Sequence, residues 1–167
     1  MQRLKIRIRK GKDGPNALVC TRPDGTVTMQ HQKAGFFPVH DLTHYAVESV
    51  LSDVCGFWRL VLEGWEITDF GKPWPRGPMP PEALVPELIV GQFDLERATG
   101  HVVDANDLNA HLASWFASNF PDERVPALIE DAQVERARGL TRALHARWYS
   151  LAPGESIELE FPSSDGD

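Results

Sequence analysis

The chain has 167 residues and a formal net charge of -7, with 42% hydrophobic and 25% charged residues. This composition is typical of one globular domain and excludes fibrous, low-complexity and disordered chains. No apolar run approaches the roughly 18 to 20 residues that span a bilayer, and no apolar signal region follows the charged N-terminus, so we expect a single cytoplasmic domain over residues 1–167 with no membrane partner.

The first third of the chain predicts a small antiparallel meander of three strands. In the first strand apolar residues alternate with basic ones, which predicts one buried face and one basic outward face. Turns rich in glycine and proline separate this strand from a second over 17–21 and a third over 26–32. In the third strand Val27 and Met29 are the apolar members of the alternation.

A helical period replaces the alternation from Pro38 onward. Asp41 suits the positive N-terminal end of the helix dipole. Apolar residues then recur at 3.6-residue spacing, at Leu42, Ala46, Val47, Val50, Leu51 and Val54. Ser52 or Asp53 is expected to cap a second helix, unless one long helix continues through Gly56.

Five prolines between positions 73 and 81 predict an ordered loop over about 71–82, because this segment can be neither regular helix nor central strand. Further helices are predicted at 82–97, 106–119 and 122–151. The apolar residues that the last helix is expected to bury are Ile129, Leu140, Leu144, Trp148 and Leu151. On the same helix, Arg136 and Arg147 are predicted either to hold an anionic ligand or to pair with acids at the rim of the core.

The chain is predicted to end in a strand in which Ile157, Leu159 and Phe161 alternate with Glu158 and Glu160. The predicted fold is therefore α+β, with a small antiparallel sheet of the meander and this strand, packed with about four to five helices. Residues 1–12 contain six basic residues and no acidic one, a pattern that can mark a nucleic-acid interface. Pairing between the basic first strand and the acidic last strand explains it better, so we do not expect a nucleic-acid partner.

The chemically informative segment is the start of the first helix. His40, His44 and Glu48 follow at four-residue intervals and lie along one stripe of a helix. Two histidines at i and i+4 can bind one metal ion, as in HExxH zinc enzymes, so we predict His40 and His44 as ligands of one divalent zinc or iron ion. Glu48 lies about 12 Å along the axis from His40, too far to bind the same ion. Glu48 is predicted either to orient His44 or to activate water, and Asp41 is the other candidate for catalytic proton transfer.

Two functions from different classes fit this stripe. One is a hydrolase-like or hydroxylase-like enzyme that acts on an unidentified small molecule. The other is a non-catalytic binding or interaction module in which the histidines and carboxylates form a structural hydrogen-bond network. The enzyme needs a further metal ligand, for which the candidates are His31, Glu63, His101 and His111.

The segment His40–His44 resembles a motif of the coenzyme Q biosynthesis protein family, in which HDxxH is associated with zinc and a glutamate follows twelve residues after the second histidine. That position is Gly56 here. The resemblance implies zinc ligation by His40 and His44 and lipid-quinone chemistry. The wider segment Phe37–Glu48 is similar to that of small bacterial proteins of unassigned function, a resemblance that implies no activity.

Overall fold

The computed structural model describes residues 3–33, 35–123 and 128–162. These residues form a four-stranded antiparallel sheet and five α-helices, which confirms the α+β prediction. The strands are β1 (Arg3–Arg9), β2 (Asn16–Thr21), β3 (Val27–Gln32) and β4 (Ser156–Pro162). The helices are α1 (Phe36–Val50), α2 (Phe57–Leu62), α3 (Leu84–Thr99), α4 (Ala105–Asn119) and α5 (Asp131–Ser150), with 3-10 turns at Ile67–Phe70 and Pro81–Ala83. Across the described part of the chain, every helix is too short or too polar to cross a membrane.

The basic strand β1 pairs with the acidic strand β4, as the charge pattern predicts. The strand order is β3-β2-β1-β4, and Lys5 lies opposite Glu160 while Arg7 lies opposite Glu158. Arg3 donates a hydrogen bond to Glu160 at 2.7 Å, and Arg7 donates one to Glu158 at 3.1 Å. Cross-strand pairs of opposite charge therefore account for much of the basic cluster at the start of the chain.

Helix α1 lies between two apolar clusters, and this position sets the surroundings of its polar stripe. Leu42 and Ala46 pack into the cluster under the sheet, together with buried side chains of β1, β2, β4, α2 and α5. Val47 and Leu51 pack into a second cluster with α3, α4 and α5. The side of α1 that carries His40 and His44 therefore faces protein on α3 and not open solvent.

The buried face of β3 is not the one that carries its apolar residues. Val27 and Met29 are 53% and 49% exposed, whereas Thr28 and Gln32 are buried. Thr28 Oγ1 accepts a hydrogen bond from the Ile67 amide and Gln32 Nε2 donates one to Asp41, while Gln32 Oε1 has no partner among the described residues. At this edge of the sheet, hydrogen bonds to a turn and to α1 replace apolar burial.

The last helix is shorter than predicted. It begins at Asp131, after the capping residue Glu130, and not at residue 122. Residues 121–123 form a turn, and residues 124–127 of the predicted helix lie outside the described part of the chain. Arg136 and Arg147, predicted to hold an anionic ligand or to pair with acids at the rim of the core, are exposed, and neither forms an ion pair within the described residues. The buried arginine of α5 is Arg138.

The region between the first two helices also differs from prediction. Helix α1 ends at Val50 and α2 begins at Phe57, so there is no continuous helix through Gly56. Neither Ser52 nor Asp53 caps α2, because the N-cap position is Gly56, in extended conformation. The predicted loop over 71–82 holds for residues 71–80, after which a 3-10 turn leads into α3.

Candidate metal centre

Two helices bring together a group that could hold a metal ion. Consecutive turns of α1 place the rings of His40 and His44 with centroids 4.8 Å apart. Helix α3 packs along this stripe and adds Glu87 from its first turn. One potential ligand atom from each of His40, His44 and Glu87 lies within 4.8 Å of the other two. This spacing is close enough for two imidazoles and one carboxylate to share an ion after small side-chain movements.

Each histidine uses its Nδ1 atom in a hydrogen bond with a carboxylate. His40 Nδ1 lies 2.8 Å from Asp94 Oδ2, and His44 Nδ1 lies 3.1 Å from Glu48 Oε1. A proton on Nδ1 that is donated to a carboxylate leaves Nε2 of the neutral ring with a free lone pair. Metal-binding histidines are oriented in this way in most proteins. His44 Nε2 lies 3.4 Å from Glu87 Oε1, on the side where an ion would bind.

Glu48 joins this site to the start of helix α2. Its buried carboxylate accepts hydrogen bonds from the amides of Phe57 and Trp58, each at 2.9 Å, in addition to the contact with His44. These amides belong to the first turn of α2, where helical N–H groups have no partner within the helix. Gly56 makes the contact possible, because a Cβ atom there would lie 2.6 and 2.7 Å from the two Glu48 oxygens.

Burial and charge shift the ionisation of these groups. Burial lowers the pKa of His44, but hydrogen bonds to Glu48 and Glu87 outweigh it and raise this pKa to about 10. Burial raises the pKa of Glu87, yet the hydrogen bond and charge of His44 dominate, so the Glu87 pKa lies below its ordinary value. Without a metal ion, a proton on His44 therefore links two carboxylates. A bound cation would take the place of that proton.

Asp41 faces the sheet side of this group. Its carboxylate is buried and accepts a hydrogen bond from Gln32 Nε2 at 2.5 Å. Burial raises the pKa of Asp41 to about 6, against the lowering effects of the Gln32 hydrogen bond and of His44. Asp41 and Glu48 lie outside the group whose ligand atoms converge.

The additional ligand was not among the candidates chosen from the sequence. Within residues 3–33, 35–123 and 128–162, the one group suited to a metal ion contains none of His31, Glu63, His101 and His111. Glu63, for example, pairs with Arg59 at 2.6 Å. Sequence reasoning missed Glu87 and Asp94. These two acids are seven residues apart, so they lie two turns apart on one face of α3. This spacing could have indicated the site, because a helix antiparallel to α1 places Glu87 beside His44 and Asp94 beside His40.

Comparison with known proteins adds no functional information. The chain matches no family model, and no curated protein or solved structure is significantly similar to it.

Proposed function

We propose that the protein is a metal-dependent enzyme, hydrolase-like or hydroxylase-like, that binds one divalent zinc or iron ion at His40, His44 and Glu87 and acts on a small molecule. The observation that supports it most strongly is the convergence of these three side chains while both Nδ1 atoms face carboxylates. Two histidines and one carboxylate bind zinc in metalloproteases and iron in non-haem oxygenases, with coordination positions left open.

The ion would supply Lewis acidity, either to polarise a substrate oxygen or to lower the pKa of water. The residues of the chain hold and orient the ligands. Asp94 fixes the ring of His40 through a 2.8 Å contact, and Glu48 fixes the ring of His44. Of the two roles predicted for Glu48, we assign the orienting one, because both its oxygens already accept hydrogen bonds from the backbone of α2.

Asp41 takes the role of proton-transfer residue in this mechanism. It is the other carboxyl group predicted to be catalytic, its carboxylate faces Gln32 on the sheet side of the site, and burial raises its pKa to about 6. A group that titrates near neutral pH can both accept and release a proton during turnover. Replacing Asp41 with Asn should therefore remove the acidic limb of the pH–rate profile without removing the metal, and an unchanged profile would exclude this role.

Metal analysis of untagged protein tests the site directly. We expect about one zinc or iron ion per chain, as for a site with three protein ligands. His44→Ala and Glu87→Gln should each abolish stoichiometric binding, whereas His101→Ala, at an exposed histidine outside the group, should not. Full metal content in both ligand variants would refute the site. The bound metal then directs the activity screen, toward hydrolysis for zinc and oxygen-dependent hydroxylation for iron.

One observation favours the alternative of a non-catalytic module. His44 already bridges Glu48 and Glu87 at 3.1 and 3.4 Å, and these carboxylates raise its pKa to about 10, so a proton alone can satisfy the network. The same residues would then serve to lock α1 against α2 and α3. Protein that is purified without metal, and whose melting temperature responds to neither added zinc nor chelator, would support this alternative.

A further inference from the structure

A polar cavity lies between α3 and α5, outside the candidate metal centre. Its volume is about 190 Å³, and its lining includes Arg97, Arg138, Thr141, Arg142 and His145. Asp94 connects the two places, because its Oδ2 lies 2.8 Å from His40 Nδ1 and its Oδ1 lies 3.4 Å from Arg97 Nη2. The cavity uses none of the three proposed metal ligands.

The lining is basic although the chain as a whole carries a net charge of -7. Three arginines and one glutamate, Glu96, contribute to it. Arg138 is neutralised, because its Nε and Nη2 atoms donate to the two Glu96 oxygens at 2.8 and 2.9 Å. With Arg138 paired to Glu96, Arg97 and Arg142 are the other two arginines of the lining, and Arg97 also contacts Asp94 at 3.4 Å.

Arg97 and Arg142 retain free hydrogen-bonding capacity. Arg142 makes no hydrogen bond within the described residues, and its Nη2 lies 3.8 Å from Glu96 Oε1. Arg97 has one long hydrogen bond, to Asp94. Guanidinium groups with free N–H donors on one side of a cavity suit the planar or tetrahedral oxygens of carboxylates and phosphates.

Thr141 provides an independent indication of a ligand. Thr141 is a buried residue with a relative exposure of 8%, and it lines the cavity. Its Oγ1 atom is buried and has no hydrogen-bond partner among the described residues. An unpaired buried polar atom costs about 1–3 kcal/mol, so native proteins seldom keep one without a ligand or water.

We infer that this cavity binds a small organic anion, whose carboxylate or phosphate oxygens accept hydrogen bonds from Arg97 and Arg142 and, after rotation of the buried Thr141 side chain about χ1, from its hydroxyl. Its volume of about 190 Å³ is sufficient for a small organic anion. Because Asp94 contacts Nδ1 of His40, whereas the free Nε2 is the atom proposed to bind the metal, the anion would lie on the far side of His40 from the proposed ion. The binding of this anion does not rest on the proposed function.

Titration of ¹⁵N-labelled protein with inorganic phosphate, and separately with succinate, tests the inference. We expect saturable shifts of amide signals near Thr141 and Arg97 with at least one of the two anions, and the responding anion identifies the preferred group. Thr141→Val and Arg142→Gln should each weaken binding about tenfold, as expected for the loss of one hydrogen bond to a charged group. Arg147→Gln is the matched control, because Arg147 is an exposed arginine of α5 outside the cavity.

No saturable shift with either anion would overturn the inference, and so would an equal loss of affinity in Arg142→Gln and Arg147→Gln. Metal content measured on the same samples separates this result from the proposed function. Thr141→Val should keep the metal and lose anion affinity, whereas His44→Ala should lose the metal and keep anion affinity.

Discussion

The contact between Gly56 and Glu48 predicts an unusual cost for a glycine-to-alanine substitution. Gly56 has φ -150° and ψ -166°, an extended conformation that alanine adopts without strain. The Cβ atom of Gly56→Ala would nevertheless lie 2.6 and 2.7 Å from the Glu48 oxygens, well inside van der Waals contact. The buried carboxylate must then move away from the amides of Phe57 and Trp58 and from His44.

The magnitude follows from what this movement breaks. Overpacking in a core costs about 1–3 kcal/mol, and each buried donor left without a partner costs about 1–3 kcal/mol. We therefore expect Gly56→Ala to lower the free energy of unfolding by about 3 kcal/mol, or the melting temperature by roughly 6–12 °C. Gly139→Ala is the control, because a Cβ atom there meets nothing within 4 Å and α5 should gain about 0.5–1 kcal/mol in helix propensity.

Urea denaturation of a double-mutant cycle measures the effect. Glu48→Ala alone should cost about 3–5 kcal/mol, because it leaves buried partners unpaired. In that background Gly56→Ala should cost almost nothing, or stabilise by up to about 1 kcal/mol, since the obstructing carboxylate is gone. An equal cost of Gly56→Ala in both backgrounds would refute the close contact. In the metal-loaded protein, Gly56→Ala should also weaken metal binding about 10- to 100-fold, because His44 loses its orienting carboxylate.

Three further predictions concern pH and packing. Without metal, the pKa of His44 is about 10 in the folded protein, against 6.5 in the unfolded chain. The protonated ring therefore contributes fully to the free energy of unfolding below pH 6.5, and this contribution is lost as pH approaches 10. The difference in unfolding free energy between wild type and His44→Ala, measured with chelator, should shrink over that range. The pKa of Asp41 is raised from 3.8 to about 6, so wild type should lose on the order of 2 kcal/mol relative to Asp41→Asn as pH rises from 4 to 7, and parallel pH profiles would contradict this. Ile157→Ala on β4 should lower the free energy of unfolding by about 2–5 kcal/mol, because Ile157 is buried. Glu158→Ala, at the exposed neighbouring residue, should lower it by less than about 0.5 kcal/mol. Similar values for both variants would argue against burial of Ile157.

The sequence predicted the elements whose patterns are local and repeated. Alternation in β1 and β4, together with opposite outward charges, predicted their pairing, which the register of Arg7 with Glu158 confirms. Prediction from the sequence failed in β3, where polar residues are buried in place of apolar ones. Thr28 and Gln32 are the buried residues of β3 because a turn and α1 supply their hydrogen-bond partners, and a period-2 pattern of hydrophobicity contains no information about such partners.

The sequence by itself determined the half of the candidate site that lies within one helix. Four-residue spacing fixes the relative positions of His40 and His44, because the helical repeat is the same in every α-helix. Only the tertiary structure decided that α3 lies against this stripe and contributes Glu87 and Asp94, since which helix packs there depends on the whole arrangement of apolar faces and not on neighbours in sequence. The same holds for Glu48, whose capping of α2 requires a chain reversal at Gly56 that brings two helices together through a carboxylate and two amides.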